Sequence, residues 1–184
     1  MKIYLIAGHS LLDSGATIDR QDLFKVIKES QLAIQLRDLI KVYLDTYSSV
    51  EVITDEDNLN LSEVIQEINK TIKKEDLVID IHFNAFNKTV KGTEAFIPTV
   101  SSKIERELSL AILKTTSDII KTPNRGVKTE QQSNRRRLGI LHGVGHRILW
   151  EVCFMDNKEE LNQYISNIYI LANDVSEEIE KFIK

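Results

Sequence analysis

Four residues of this sequence carry the side chains that a catalytic metal site uses. His9, Glu29 and His82 lie far apart along the chain and together offer two imidazoles and a carboxylate. Such a trio binds catalytic zinc and keeps one coordination position open for water. Glu151 adds a second carboxylate, which could exchange a proton with that water. Such a set would suit zinc-dependent hydrolysis.

Both histidines follow strand-like runs of apolar residues. His9 comes after the run Ile3–Ile6, and His82 comes directly after the run Leu77–Ile81. Ligand sites of open α/β sheets gather at the carboxyl ends of strands. A single histidine there could simply be held by hydrogen bonds in a loop, but two histidines in equivalent positions favour a functional site.

Glu151 interrupts a run of apolar residues. Its neighbours include Trp150 and Val152, so burial of its carboxylate costs free energy unless the group is paired or lies in a cleft. An ion pair with a neighbour such as Arg147 is one explanation. The other is a catalytic acid and base, because partial desolvation raises the pKa of a carboxyl group and suits it to proton exchange near neutral pH.

Several short motifs follow one another along the chain. They are Ala7-Gly8-His9, Asp13-Ser14-Gly15-Ala16, a helical segment carrying Glu29, Ile81-His82-Phe83-Asn84-Ala85, Gly92–Phe96, Arg125–Lys128, Leu138–Leu141 and Glu151–Asn157. Their order resembles that of the zinc-dependent N-acetylmuramoyl-L-alanine amidases of type 3, and the resemblance extends from Lys2 to the C-terminal helix. It implies that His9, Glu29 and His82 bind Zn2+ and that Glu151 is catalytic. It alone selects Glu29 over the nearby acids Asp19, Asp22 and Asp38.

Two further polar residues accompany His82. Asp80 and His82 alternate with Ile81, which puts Asp80 and His82 on one face of the strand. Asp80 could therefore orient a metal-bound histidine through a hydrogen bond. Asn84 could contact substrate or could be a turn residue that stabilises its own backbone. We take Asn84 as a candidate substrate-binding residue.

Other polar segments have simpler explanations. His142 and His146 are four residues apart, but the two glycines between them argue against a helical metal pair. We interpret both histidines as loop residues beside the cleft. Arg135–Arg137 is a run of charges of the kind that is usually solvated, and contact with the carboxylates of a peptide stem is the alternative.

The chain departs from the family pattern outside the proposed metal site. Asp55 follows Thr54 where the family usually has an arginine, and the later arginine-to-asparagine stretch of the family reads Glu63–Asn69 here. Gly145–Arg147 stands where a proline is common. These departures bear on substrate preference.

Strand-like and helical segments alternate along the sequence. Five runs rich in branched or aromatic residues predict strands, and four apolar stripes at helical spacing predict helices. The strands are Ile3–Ile6, Val50–Ile53, Leu77–Ile81, Glu94–Ile97 and Ile148–Val152; the stripes are Leu32–Tyr43, Leu61–Ile72, Ile104–Ile119 and Leu161–Phe182; and Thr122–Gly126 is predicted to be a turn. The alternation predicts an α/β fold, a single layered domain of the phosphorylase/hydrolase-like kind with a mostly parallel or mixed twisted central sheet and helices on both faces.

Length and composition agree with one domain. The 184 residues, 42% of them apolar, suffice for a single core, so we expect residues 1–184 to form one catalytic amidase domain. The net charge of -4 gives no broad basic face, which argues against a nucleic-acid partner. Cys153 is the one cysteine and therefore has no partner for an internal disulfide. We expect a monomer.

The first apolar run, Ile3–Ala7, is shorter than the about 7 to 15 apolar residues of a secretory signal. No other run approaches the length of a membrane span. We therefore expect synthesis in the cytoplasm without a signal peptide, and action on the cell wall after release, as for a phage or prophage endolysin.

Residues and resemblance together predict one function. It is Zn2+-dependent hydrolysis of the amide bond between N-acetylmuramic acid and L-alanine in bacterial peptidoglycan, whose stem peptide and glycan would be the binding partners. The alternatives are another zinc peptidase or amide hydrolase on the same fold, and a catalytically silent peptidoglycan-binding module. The presence of all four candidate residues argues against the silent module.

Overall fold

A computed structural model describes residues 1–20, 25–47 and 49–183, except for the side chain of residue 47. These residues form eight strands and four α-helices. In chain order the elements are β1 (Lys2–Ala7), β2 (Thr17–Arg20), β3 (Lys25–Lys28), α1 (Glu29–Tyr47), β4 (Glu51–Thr54), α2 (Leu61–Thr71), β5 (Leu77–Asn84), β6 (Thr93–Ile97), α3 (Lys103–Ile120), β7 (Asn124–Thr129), β8 (His146–Phe154) and α4 (Lys158–Ile183), with single 3-10 turns at Glu130–Gln132 and Gly139–Leu141.

Six of the strands form one central sheet in the order β4-β1-β5-β8-β6-β7. The strands β4, β1, β5 and β8 run parallel to one another. β6 pairs antiparallel with β8, and β7 runs parallel to β6. The sheet is therefore mixed, and β2 and β3 form a separate antiparallel pair.

Side chains alternate between the two faces of the sheet and bury it on both sides. Ile79 and Ile81 of β5 pack into the larger core with α1, α3 and α4, whereas Val78 points into a smaller core with α2. Asp80 and His82 lie on the same face as Val78, so the smaller core gives way to polar residues toward the end of β5. The predicted single α/β domain with helices on both faces is confirmed.

Local sequence sets the ends of two helices. Asn60 caps α2, with its side chain accepting from the backbone N–H of Glu63 while the Glu63 carboxylate accepts from the Asn60 backbone. Ser102 and Glu105 form the same reciprocal box at the start of α3. α3 ends at Ile120, and its C-cap residue Lys121 adopts the left-handed conformation with φ of 53°.

The predicted strands and helices are present, and the structure adds β2, β3 and β7. The turn predicted at Thr122–Gly126 is wrong in part, because Asn124–Gly126 begins β7. β7 is an edge strand without fully buried residues, so it lacks the alternation that reveals a strand. Asp22, one of the competing acids, lies outside the described residues. Within the described part of the chain, no helix has both the length and the apolar character to cross a membrane.

Candidate functional site

His9, Glu29 and His82 converge where the strands β1 and β5 end. One donor atom from each lies within 4.8 Å of the others. β1 and β5 are parallel neighbours, so the loop after β1 brings His9 close to His82 near the end of β5. Glu29 arrives from elsewhere, as the first residue of α1 directly after β3. The structure thus brings together three residues that are separated by up to 73 positions in the chain.

Backbone groups hold the carboxylate of Glu29 in place. The Phe83 N–H donates to Oε1 at 3.0 Å, and the Ala16 N–H donates to Oε2 at 2.9 Å. Burial raises the pKa of Glu29, but His82, His9 and the Ala16 amide outweigh burial and lower it. The group is therefore ionised. With 5% of its surface exposed, Glu29 is not the solvated helix carboxylate that the sequence also allowed.

Each imidazole has one nitrogen toward Glu29 and the other toward a second carboxylate. His82 Nδ1 lies 3.1 Å from Glu29 Oε1, and His82 Nε2 lies 3.1 Å from Asp80 Oδ2. His9 Nε2 lies 3.4 Å from Glu29 Oε2, and His9 Nδ1 lies 3.0 Å from Asp13 Oδ2. Metal-bound histidines commonly donate their remaining N–H to a carboxylate in this way. Asp80 and Asp13 thus select which nitrogen of each ring is left for a ligand.

The residues present fit a zinc ion. Two ligand atoms at about 2.0 to 2.1 Å from zinc with a tetrahedral angle between them are about 3.3 Å apart. The 3.1 Å from His82 Nδ1 to Glu29 Oε1 and the 3.4 Å from His9 Nε2 to Glu29 Oε2 are close to this value, and each imidazole faces a different oxygen of the carboxylate. Two nitrogens and one carboxylate oxygen are also the donor types that catalytic zinc takes.

Two glycines make room for this packing. A Cβ built on Gly8 would lie 2.2 Å from the ring of His82. A Cβ on Gly15 would lie 2.5 Å from His9 and 2.6 Å from Glu29, and Gly15 also has a positive φ of 62°. Larger residues at either position would displace the side chains of the site.

Glu151 lies on β8 in register with His82 on β5, so both side chains are on the same face. Its Oε2 is buried and accepts no hydrogen bond from the described residues. Burial raises the pKa of Glu151 to about 8; the charge of His82 opposes this, and those of Glu29 and Glu94 add to it. The carboxyl group is therefore poised to hold or release a proton near neutral pH.

The alternative explanation for a carboxylate at Glu151, an ion pair with Arg147, is wrong. The Arg147 guanidinium donates to the carbonyls of Val144 and Ile140 and to Asn69 Oδ1. These three partners occupy all three nitrogens of the guanidinium, and none of them is Glu151.

His82 itself has a perturbed pKa. Burial lowers the pKa of its ring, but Asp80, Glu29 and Glu151 raise it well above the ordinary value. Without a metal ion, the imidazole is therefore protonated on both nitrogens and positively charged. Metal binding must release that proton, because a histidine ligand is neutral.

Asn84 ends β5 close to these groups. Its side-chain Nδ2 donates to Glu94 Oε1 at 3.0 Å, and its backbone carbonyl accepts from the Met155 N–H at 2.8 Å. The amide thus contacts Glu94 on β6, two strands away in the sheet, rather than its own backbone, which was the alternative from the sequence. Its contact with substrate stays a prediction.

Sequence reasoning missed Glu94 and its two cations, Arg125 and Lys128, as members of this region. Glu94 is a buried carboxylate within the apolar strand β6. The signal that drew attention to Glu151, an acid in an apolar run, was therefore present for Glu94 as well. β7 carries both cations and had no strand signal of its own.

His146 is not beside the cleft. It begins β8 in register with Leu77, whereas Glu151 and His82 are paired five residues further along both strands. At about 3.3 Å per residue, His146 lies about 17 Å from Glu151, at the opposite end of the strands. Its Nδ1 lies 3.0 Å from Ser102 Oγ, so His146 has a structural contact at the start of α3.

The remaining polar candidates have partners or face solvent. His142 follows the 3-10 turn Gly139–Leu141 and contacts Glu130 Oε2 at 2.8 Å. Arg135–Arg137 is exposed, as expected of a solvated segment. The pKa of Asp13 is lowered mainly by its hydrogen bond with His9, with a small contribution from the charge of Arg135.

The departure at Asp55 has a structural explanation. Asp55 Oδ1 accepts from the Ala7 N–H at 3.1 Å and from Arg37 of α1 at 2.9 Å. Arg37 also lies 2.8 Å from Asp57, whose carbonyl accepts from the Leu11 N–H. An arginine from α1 thus joins β4 to the loop that carries His9.

Comparison with known proteins agrees with this architecture. A family model described as N-acetylmuramoyl-L-alanine amidase matches residues 3–181. No curated protein sequence matches the chain.

Solved structures with a similar fold come from several sources. Cwp6 from Clostridium difficile is 23% identical with a TM-score of 0.83; the match covers 100% of this chain and 29% of Cwp6, so this chain spans under a third of that protein. The putative N-acetylmuramoyl-L-alanine amidase from Neisseria meningitidis is 24% identical (TM-score 0.78; 99% and 96% covered). The catalytic domain of CD27L endolysin, which targets Clostridia difficile, is 23% identical (TM-score 0.75; 98% and 97% covered).

Proposed function

The chain belongs to the N-acetylmuramoyl-L-alanine amidase family, and from this premise we propose that it hydrolyses the amide bond between N-acetylmuramic acid and L-alanine in bacterial peptidoglycan with the help of Zn2+. The observation that carries the proposal is the convergence of His9, Glu29 and His82 within 4.8 Å, one strand away from the partly buried Glu151. The proposal takes residues 1–184 as one catalytic domain.

His9 through Nε2, Glu29 and His82 through Nδ1 would hold the ion. A zinc ion bound there would supply Lewis-acid chemistry, lowering the pKa of water toward about 7 and polarising a carbonyl group. Asp13 and Asp80 orient the two imidazoles by accepting from their other nitrogens. These contacts fix the tautomers that ligation requires.

Glu151 moves the proton. Its Oε2 has no partner among the described residues, so the ionised form of Glu151 is free to accept the proton of the water that attacks the carbonyl carbon. It then delivers that proton to the alanine nitrogen as the carbon–nitrogen bond breaks. An amide needs this delivery, because its nitrogen leaves poorly without protonation. The products are a free carboxyl group on the muramoyl sugar and a stem peptide with a free amino terminus.

Digestion of purified peptidoglycan, with and without a chelator, tests the proposal. Mass spectrometry should find stem peptides that begin with L-alanine, and the chelator should abolish their release. Cleavage between two amino acids would instead identify another zinc peptidase. Stoichiometric zinc and binding to sacculi without release of peptides would identify a silent binding module.

Two variants separate the roles of the residues. Glu151→Gln should bind zinc but lose about 10² to 10⁴-fold in turnover, because the proton carrier is gone. His82→Ala should lose zinc as well as turnover. Full activity in Glu151→Gln would refute the catalytic role. Action as a phage or prophage endolysin stays a prediction, which the ability of added protein to lyse intact cells would test.

A further inference from the structure

Glu94 lies at the centre of a charged cluster next to Glu151. The two residues are paired across β6 and β8, and Glu151 is paired with His82 across β8 and β5. Paired residues share a face of the sheet, so the three side chains form a row. Glu94 is 5% exposed, and Asn84 Nδ2 donates to its Oε1.

β7 brings two positive charges to this single carboxylate. Arg125 Nε donates to Glu94 Oε2 at 3.0 Å, and Lys128 Nζ donates to the same oxygen. Burial raises the pKa of Glu94, but the hydrogen bonds from Lys128 and Arg125 outweigh burial and lower it. Glu94 is therefore ionised and neutralises one of the two cations. Two cations therefore share one carboxylate oxygen of Glu94, and the charge of Arg125 also acts on the buried Glu160.

The guanidinium of Arg125 is held in a fixed orientation with one side open. It lies 5.1 Å from the ring centre of Phe154, and Gly92 leaves the space for its stem, since a Cβ there would lie 2.3 Å from Arg125 Cδ. Nε is used by Glu94, and Nη1 has only a long contact of 3.4 Å to the Lys91 carbonyl. Among the described residues Nη2 donates to none, and 34% of the side chain is exposed.

We propose that Arg125 binds a carboxylate of the stem peptide, on the residue that follows the alanine. This inference rests on the proposed amidase function. Neighbouring strands are about 4.8 Å apart, so a guanidinium bound to Glu94 is roughly 5 to 10 Å from Glu151. One residue spans at most about 3.6 Å, so this distance fits the second residue of the leaving peptide.

Lys128 and Arg125 have different roles in this proposal. Lys128 is the less exposed of the two and contacts both Glu94 and the face of Phe96, so it serves as the counter-ion of Glu94. Arg125 presents paired N–H groups, which match the two oxygens of a carboxylate. A carboxamide at the same position of the peptide would lack both the charge and one acceptor.

Two synthetic substrates test this subsite with the zinc-loaded protein. One is an N-acetylmuramoyl tripeptide whose second residue is joined to the third through its side-chain carboxyl, so that its α-carboxylate is free, and the other has a carboxamide in place of that α-carboxylate. The wild type should cleave the acid with a kcat/KM about tenfold or more above that of the carboxamide, as expected for a charge-assisted hydrogen bond. Arg125→Gln should lose this preference, mainly through a higher KM for the acid.

Further variants test whether the substrate preference depends specifically on Arg125. Arg106→Gln, an exposed arginine of α3, is the matched control and should keep the full preference. Arg125→Lys keeps a positive charge beside Glu94 but loses the paired donors, so it should reduce the preference. It also decides the question if Arg125→Gln fails to fold. Equal kcat/KM for the two substrates in the wild type, or an undiminished preference in a folded Arg125 variant, would overturn the proposal.

The subsite and the amidase activity can fail separately. If the wild type cleaves neither substrate, the proposed function fails, and calorimetry with the free tripeptides still tests Arg125. Tighter binding of the acid by the wild type, lost in Arg125→Gln, would support the subsite. Equal binding of acid and carboxamide would refute it.

Discussion

Replacing Glu151 by glutamine should stabilise the metal-free protein while it removes activity. Burial raises the pKa of Glu151 from 4.5 to about 8, so the folded state holds a proton that the unfolded state releases. Between those two values the folded protein binds more protons than the unfolded chain, and the free energy of unfolding therefore falls as the pH rises. Glutamine has no proton to exchange and lacks this dependence.

The size of the effect follows from the interval between pH 4.5 and the pH of the assay. At 1.36 kcal/mol for each pH unit, the wild type loses up to about 3 kcal/mol by pH 7 relative to Glu151→Gln. At pH 4.5 and below the two proteins should unfold with nearly the same free energy. Activity and stability are thus opposed at this residue, as often occurs in catalytic sites.

Urea unfolding in the presence of a chelator measures this difference at pH 4.5, 6, 7 and 8. The chelator matters because a bound cation at His82 would itself lower the pKa of Glu151. Glu75→Gln, at an exposed position before β5, is the control and should show a small difference from the wild type at every pH. A Glu151→Gln variant that is less stable than the wild type at pH 7, or whose difference does not change with pH, would refute the reasoning.

Two further substitutions test how the site is held. Gly8→Ala should weaken zinc binding strongly, because the new methyl group would overlap the ring of His82. Gly139→Ala is the control and should leave zinc binding intact, because its Cβ would have ordinary contacts of 3.4 Å or more. Calorimetric zinc titration of both variants would check this, and a normal zinc affinity in Gly8→Ala would contradict it. Asp80→Asn should lower zinc affinity about 10 to 100-fold by removing the charge that orients His82. Competition with a chelator measures that change against Asp118→Asn on the surface of α3, and an unchanged affinity would show that Asp80 has no such role.

Much of the fold could be predicted because the relevant signals are local. Alternation along Leu77–Ile81 and the helical spacing from Leu161 to Phe182 record which side of each segment is buried, and burial dominates the free energy of folding. The direction of β6 could not be predicted in this way, because its residues are buried whether it runs parallel or antiparallel to β8. β7 was missed since an exposed edge strand has no apolar face to detect.

The sequence by itself determined which chemical groups are available, two histidines and two glutamates in segments of recognisable order, and the strands whose ends would carry them. Only the tertiary structure decided that Glu29 faces both imidazoles, which nitrogen of each ring is left open, and that Arg125 stands beside Glu94 in the row that begins at His82. The reason is physical. The pattern of apolar residues along a chain reports which residues are buried. The distance between two side chains depends instead on strand register and on how remote segments pack, and no single segment determines either.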